Sequence, residues 1–208
     1  MMNSPPFRLF PILGVVAVLV AATLIVVTLS RSGTPGELSP EAGFSRDMAV
    51  HHAQAVDMSF VARDASTDQE LRTLAYDIIN TQSTQRGIFM GWLDQWGLPQ
   101  SSTQPPMTWM AGHGHDGPPG VMPGMASPEE LAKLRAATGD ASAVLFLQLM
   151  IRHHEGGVDM ARGLLKLSSR SEVRTMAQHI VDGQSAEITL MKGMLQARGG
   201  QPLPSILK

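Results

Sequence analysis

The chain repeats itself. Met48-x-x-His51-His52-x4-Asp57-Met58 returns as Met150-x-x-His153-His154-x4-Asp159-Met160, every member displaced by 102 residues without a gap. The match covers whole segments, 44–99 and 146–201, and keeps Phe44/Phe146, Glu70/Glu172, Arg72/Arg174, Ala75/Ala177, Ile78/Ile180, Gln82/Gln184, Leu93/Leu195 and Gly97/Gly199. Whatever one copy folds into must therefore form twice.

Each copy reads as a helical hairpin. Ser39-Pro40-Glu41 is an N-cap, a proline at the first helical position and an acid on the positive helix end, opening a helix expected over about 40–64. Thr67-Asp68-Gln69-Glu70 is read as a capping box opening a second helix, which reaches Trp96 and stops at Gly97 with Pro99 beyond. Ser169-Arg170-Ser171-Glu172 and Gly199-Gly200 are the matching start and stop. Two hairpins with one apolar face each bury it best against each other, which predicts an all-α four-helix bundle over 40–201. Between the hairpins lie a Pro/Gly/Met/His loop, 100–126, and a short capped helix, 127–139.

Leu9 to Leu29 is uncharged and rich in Val, Leu and Ala. A helix of that length spans a bilayer core of ~30 Å. Residues 1–31 are therefore expected to be an N-terminal transmembrane anchor, followed by a tether over 32–39, with the body outside the cytoplasm. A cleaved signal peptide is the rival, but Thr28-Leu29-Ser30 suits cleavage poorly.

On a helical wheel Phe44, Met48, His51, His52, Ala55 and Met58 share the stripe that a bundle helix buries, and the second copy gives the same wheel. Asp57 and Asp159 fall on the far side. They are read as salt-bridge or cap partners, with Arg72 and Arg174 as the candidates. An inward histidine is ordinarily a hydrogen-bonded core residue, and duplication copies structural residues too. The two pairs nevertheless survived where their surroundings drifted: Ala53-Gln54-Ala55 became Glu155-Gly156-Gly157, and Arg46-Asp47 became Gln148-Leu149. That favours a ligand role.

Composition narrows the ligand. The chain has no cysteine and 14 methionines, so thiolate metal sites and thiol nucleophiles are excluded together. A net charge of −2 argues against nucleic acid as a partner. Imidazole beside thioether favours copper, and Cu(I) in particular. Zinc usually takes cysteine or three histidines, and a di-iron site needs Glu-x-x-His pairs, which the sequence lacks. The candidate ligands are Met48, His51, His52 and Met58, and Met150, His153, His154 and Met160. The middle segment adds Met107, Met110, His113, His115, Met122 and Met125. Its composition predicts a flexible, exposed capture loop, pinned by Trp109. Trp92 and Trp96 are expected to pin the end of the second helix. His179 is read as structural and Met176 as core.

The runs from Phe44 to Met58 and from Phe146 to Met160 resemble the twin signatures of the DUF305 family, and Met122-Pro-Gly-Met125 ahead of Ser127-Pro128-Glu129-Glu130 fits as well. The resemblance covers about 40–201. It implies a ferritin-like four-helix bundle, exported or membrane-anchored in bacteria, with some relatives similar to copper-binding proteins. It also implies the motif histidines and methionines as ligands. One departure stands out: the family's second signature carries a Phe-Asp pair where this chain has Ser142 and Ala143, while Glu41 occupies the equivalent place in the first copy. The two halves are therefore expected to bind unequally.

The expected function is Cu(I) sequestration, buffering or transfer by a membrane-tethered bundle. No catalytic nucleophile or acid–base pair is visible, so an enzyme is not expected. The alternatives are a non-metal structural or interaction bundle with buried histidine pairs, and a copper-dependent oxidoreductase. A homo-oligomer is compatible with the sequence, and no protein partner is legible in it.

Overall fold

Four long helices in two hairpins carry the fold. The computed structural model describes residues 33–112 and 120–207. Its elements are α1 (Pro40–Ala65), α2 (Gln69–Gln95), α3 (Pro128–Ala136), α4 (Gly139–Leu167) and α5 (Ser171–Ala197), with a 3-10 turn at Thr108–Met110. Among the described residues there is no strand, and no helix is long and apolar enough to cross a membrane. The apolar stretch 9–29, the rest of 1–32, and His113 and His115 lie outside the described residues.

The helix starts follow the expected chemistry with two corrections. Ser39 caps α1, its Oγ accepting from Ala42 N at 3.2 Å. Ser127 and Glu130 form a full capping box on α3. In α2, however, the cap is Asp68 rather than Thr67: its carboxylate accepts from Glu70 N and Leu71 N. The matching position in the second copy is Arg170, which has no side chain able to accept, so α5 starts without a side-chain cap. The stops are as expected. Gly97 and Gly199 both take φ +69, where a side chain would be strained. They let Leu98 N reach Leu93 O at 2.9 Å and Gly200 N reach Leu195 O at 3.0 Å, the helix-ending bond that a left-handed residue permits.

The duplicated arginines do something other than pair with Asp57 and Asp159. Arg72 donates to the carbonyls of Arg63 and Ser66 at 2.6 and 3.1 Å. Arg174 donates to those of Leu165 and Ser168. Each guanidinium thus satisfies the orphan carbonyls at the end of the preceding helix and closes its own hairpin. Asp57 instead meets Arg135 of α3 at 2.6 Å, on the surface.

Packing divides the interior into two apolar clusters. One gathers Met58, Leu71, Leu74, Ile78, Phe146, Met150, Ile188 and Met191. The other gathers Phe44, Met48, Phe89, Met160, Leu164, Ile180 and, from the loop, Met107 and Met110. Early α1 therefore clusters with late α4, and late α1 with early α4: the two motif helices run antiparallel and cross at their middles. Helix midpoints supply the layer between the clusters. His52 lies at the middle of α1, Gln82 of α2, His153 of α4 and Gln184 of α5.

The loop after α2 is not the open segment its composition predicts. Met107 and Met110 are 3% and 2% exposed. Trp109 packs edge-on against Phe44 with ring centroids 5.7 Å apart, and donates Nε1–H to Asp47 Oδ2 at 2.9 Å. A Cβ on Gly43 would lie 2.5 Å from the indole. The missing side chain is what seats Trp109 on the helix. His179, read from the sequence as structural, is exposed on α5.

Candidate metal centre

All four motif histidines are fully buried. The rings of His51 and His153 lie face to face at the crossing of α1 and α4, centroids 3.7 Å apart and tilted by 34°. His52 and His154 flank this pair, their rings 6.4 and 6.3 Å from His51 and His153 respectively. One layer thus contains both copies of the motif. The methionines divide around it. Met48 joins Met160 in the loop-side cluster, and Met58 joins Met150 in the other. Each apolar flank thus receives one methionine from each copy.

Three of the rings are held from outside through Nε2. His51 Nε2 meets the Pro123 carbonyl at 3.1 Å, His52 Nε2 meets Gln85 Oε1 at 2.7 Å, and His154 Nε2 meets Glu187 Oε2 at 2.6 Å. The Pro123 carbonyl only accepts, so neutral His51 donates Nε2–H and keeps its lone pair on Nδ1; the Glu187 carboxylate likewise accepts from His154 Nε2, while the Gln85 amide can serve either tautomer of His52. Among the described residues these Nδ1 atoms have no hydrogen-bond partner, and the nitrogens of His153 make no well-formed hydrogen bond, its ring lying near the His51 backbone.

Gln82 and Gln184 add four unpartnered amide atoms. Of the eleven buried side-chain nitrogens and oxygens without a hydrogen bond among the described residues, nine belong to these six residues. Such a group costs about 1–3 kcal/mol when left unsatisfied. These nine atoms are concentrated in one layer at the crossing of α1 and α4.

Burial keeps three of the rings, His51, His52 and His153, neutral. Desolvation pushes His51 down to about 3 against the bond to Pro123, with repulsion from His154 adding to the shift. Desolvation, then repulsion from His51, pushes His52 down to about 3. His153 is held well below the ordinary value by burial and by the other three rings. Neutral imidazole is the form that ligates a metal, so His51, His52 and His153 offer lone pairs across the physiological range.

The same loop covers the crossing from both copies. Pro123 and Gly124 lie directly on α4: a Cβ on Gly156 would sit 2.0 Å from the Pro123 carbonyl oxygen, and one on Gly124 would sit 2.4 Å from the Arg152 carbonyl oxygen. Gln54, the counterpart of Gly156 in α1, grips Ala126 with both ends of its amide. Its Nε2 donates to Ala126 O at 3.0 Å, and its Oε1 accepts from Ala126 N at 2.7 Å. Gly157 makes room for the Gln184 amide, whose oxygen lies 2.2 Å from where a Cβ would be.

The donor set suits a soft ion in kind: neutral imidazole nitrogens with buried thioethers on either side and no thiolate. It does not form a preassembled polyhistidine or carboxylate cage. Among the described residues no three His, Cys, Asp or Glu side chains converge to hold an ion. Of the loop candidates, Met107 and Met110 are buried in the Met48/Met160 cluster, Met122 packs half-buried against it, and Met125 is half-buried. Asp57 is exposed, as its side of the helix predicts. Glu41 sits away from the rings, accepting from Ser168 Oγ at 2.5 Å.

Sequence reasoning missed Gln85 and Glu187 altogether. The signal was present, since both lie 33 residues beyond the second histidine of their copy and 102 residues from each other.

Known structures share this architecture. A DUF305 protein of Streptomyces coelicolor, presumed secreted, is 46% identical, with 81% of this chain and 99% of that one covered and a TM-score of 0.76. A DUF305 fragment from Deinococcus radiodurans is 34% identical over 76% and 96%, with a TM-score of 0.64. CopM in its Cu(II)-bound form is 29% identical over 76% and 96%, with a TM-score of 0.61. CopM has also been solved with Cu(I) and with silver. No curated protein matches the chain. The family profile described as a domain of unknown function, DUF305, matches residues 41–195, so the chain belongs to the DUF305 family.

Proposed function

We propose that this protein binds Cu(I) outside the cytoplasm, tethered to a membrane by its N-terminal segment, and serves to sequester, buffer or pass on the ion rather than to catalyse a reaction. The observation that carries this reading is the central layer: four fully buried histidines, three of them held neutral by burial, with ring nitrogens that have no hydrogen-bond partner among the described residues, flanked by buried methionines. CopM, a relative solved with Cu(I), Cu(II) and silver, supports the choice of ion. The presumed secretion of the Streptomyces coelicolor relative supports a body outside the cytoplasm, and the apolar stretch 9–29 supports the tether. The bound ion supplies a soft Lewis acid. The chain supplies imidazole nitrogens, thioethers and a cover of loop residues that keeps water out.

Anaerobic titration of the full chain with Cu(I) against a competing chelator tests the proposal. Binding tighter than micromolar is expected, and its loss on replacing His51, His52, His153 and His154 together by Ala. Micromolar or weaker binding that those replacements leave unchanged would overturn it.

The hydrogen bonds from His51, His52 and His154 to Pro123, Gln85 and Glu187 favour a second reading, a metal-free bundle in which the rings tie elements together. A stability loss in the four-histidine variant, identical with and without copper, would support it.

A further inference from the structure

The second histidine of each pair rests on a different group. His52 meets the amide of Gln85, and His154 the carboxylate of Glu187, at matching positions of α2 and α5. An amide can turn either its oxygen or its nitrogen toward a ring, so it accepts Nε2–H from one tautomer or donates to the other. A carboxylate oxygen in this contact accepts. It therefore holds a proton on Nε2, which leaves Nδ1 as the nitrogen able to ligate, the arrangement of a carboxylate–histidine–metal triad. His154 is fully buried while Glu187 is only 24% exposed, so water competes little for the contact.

We propose that Glu187 is a positioning residue that locks His154 with Nδ1 as its donor atom, making the second-copy side of the layer the preferred seat for the first soft monovalent ion. Gln85 leaves His52 the weaker and more adaptable donor. The inference rests on the copper reading above. It places the inequality of the halves at positions 85 and 187, not at the carboxylate position where Glu41 faces Ala143.

The test uses the full chain and two near-isosteric exchanges, Glu187→Gln and Gln85→Glu. In the metal-free chain, nitrogen-15 shifts of labelled histidine should show His154 with its proton on Nε2 and an unprotonated Nδ1. E187Q should blur that pattern toward a tautomer mixture, and Q85E should sharpen it for His52. A merely structural contact would leave these shifts in place. In competition with a chelator, E187Q should weaken the first Cu(I) by roughly 10–100-fold, Q85E should strengthen binding, and the double exchange should move the preferred seat to the first copy.

A proton on His154 Nδ1 in the unaltered chain, or unchanged Cu(I) affinity in E187Q, would overturn the inference. Failure of the unaltered chain to take up Cu(I) would instead overturn the proposed function and, with it, the ion preference. The nitrogen shifts would still judge the tautomer lock separately.

Discussion

The two copies of the repeat reach the same central layer with different supports, and the differences follow position by position. In the first copy the loop over the crossing is held by an amide, Gln54, which satisfies both backbone groups of Ala126. In the second copy the same loop is admitted by an absence, the missing Cβ of Gly156, over which the Pro123 carbonyl rests. At the next position the first copy has Ala55 and the second Gly157, which yields its space to the Gln184 amide. Duplication kept the rings and let their surroundings divide the labour: one copy grips, the other gives way.

Acid should have the largest effect, and it asks whether the halves are separable at all. Unfolded, each ring takes a proton near pH 6.5; folded, His51 and His52 resist down to about 3, and His153 also resists. Between those limits unfolding takes up protons. Stability is thus full above about pH 6.5 and falls toward pH 3, by about 1.4 kcal/mol per pH unit for each excluded proton. Denaturant melts of the metal-free chain from pH 7.5 to 3.5 should show this decline as one cooperative transition. Two transitions would mean that the hairpins do not share a layer.

Next comes Gly156→Val, which places a side chain where the Pro123 carbonyl lies and should cost about 3 kcal/mol by lifting the loop. Gln54→Ala removes two hydrogen bonds and should cost about 2 kcal/mol. A larger loss for Gln54→Ala than for Gly156→Val, both by denaturant melts, would reverse the contrast between gripping and giving way. Smallest is Arg135→Ala, which breaks the ion pair with Asp57 where both side chains are about half exposed. It should cost less than about 1 kcal/mol, and a greater loss would show that α3 steadies the first copy more than surface charge allows.

Much of this architecture could be read before any coordinates. The offset of 102 exposed the hairpins, the wheel put Phe44, Met48, His51, His52 and Met58 inside and Asp57 outside, and Gly97 and Gly199 marked the stops because glycine takes the left-handed turn without strain. What escaped depends on contacts between elements. Arg72 could be matched with Asp57 by charge alone, yet its guanidinium finds acceptors in the last carbonyls of the preceding helix of its own hairpin.

Met107 and Met110 sit in a run of Pro and Gly that suggests solvent. Their burial depends on Trp109 fitting the notch at Gly43, sixty-six residues earlier in the sequence. Thr67 looked like a cap because hydroxyls commonly serve, but Asp68 begins the first turn and its carboxylate reaches two backbone donors. Gln85 and Glu187 carry no motif of their own. A polar residue on a half-buried helix face looks like surface until the ring it holds is known.

The crossing of α1 and α4 at their midpoints has one more consequence. Each ring and each amide of the layer enters once from each copy, which is the geometry of a two-fold contact between identical partners. A lone hairpin pairing with its twin would carry every part that the layer needs, but any substitution in it would appear twice. Fusion into one polypeptide ends that constraint. An ancestor built from twins could carry glutamine at both outer seats or glutamate at both; only a joined chain can write Gln85 in one and Glu187 in the other.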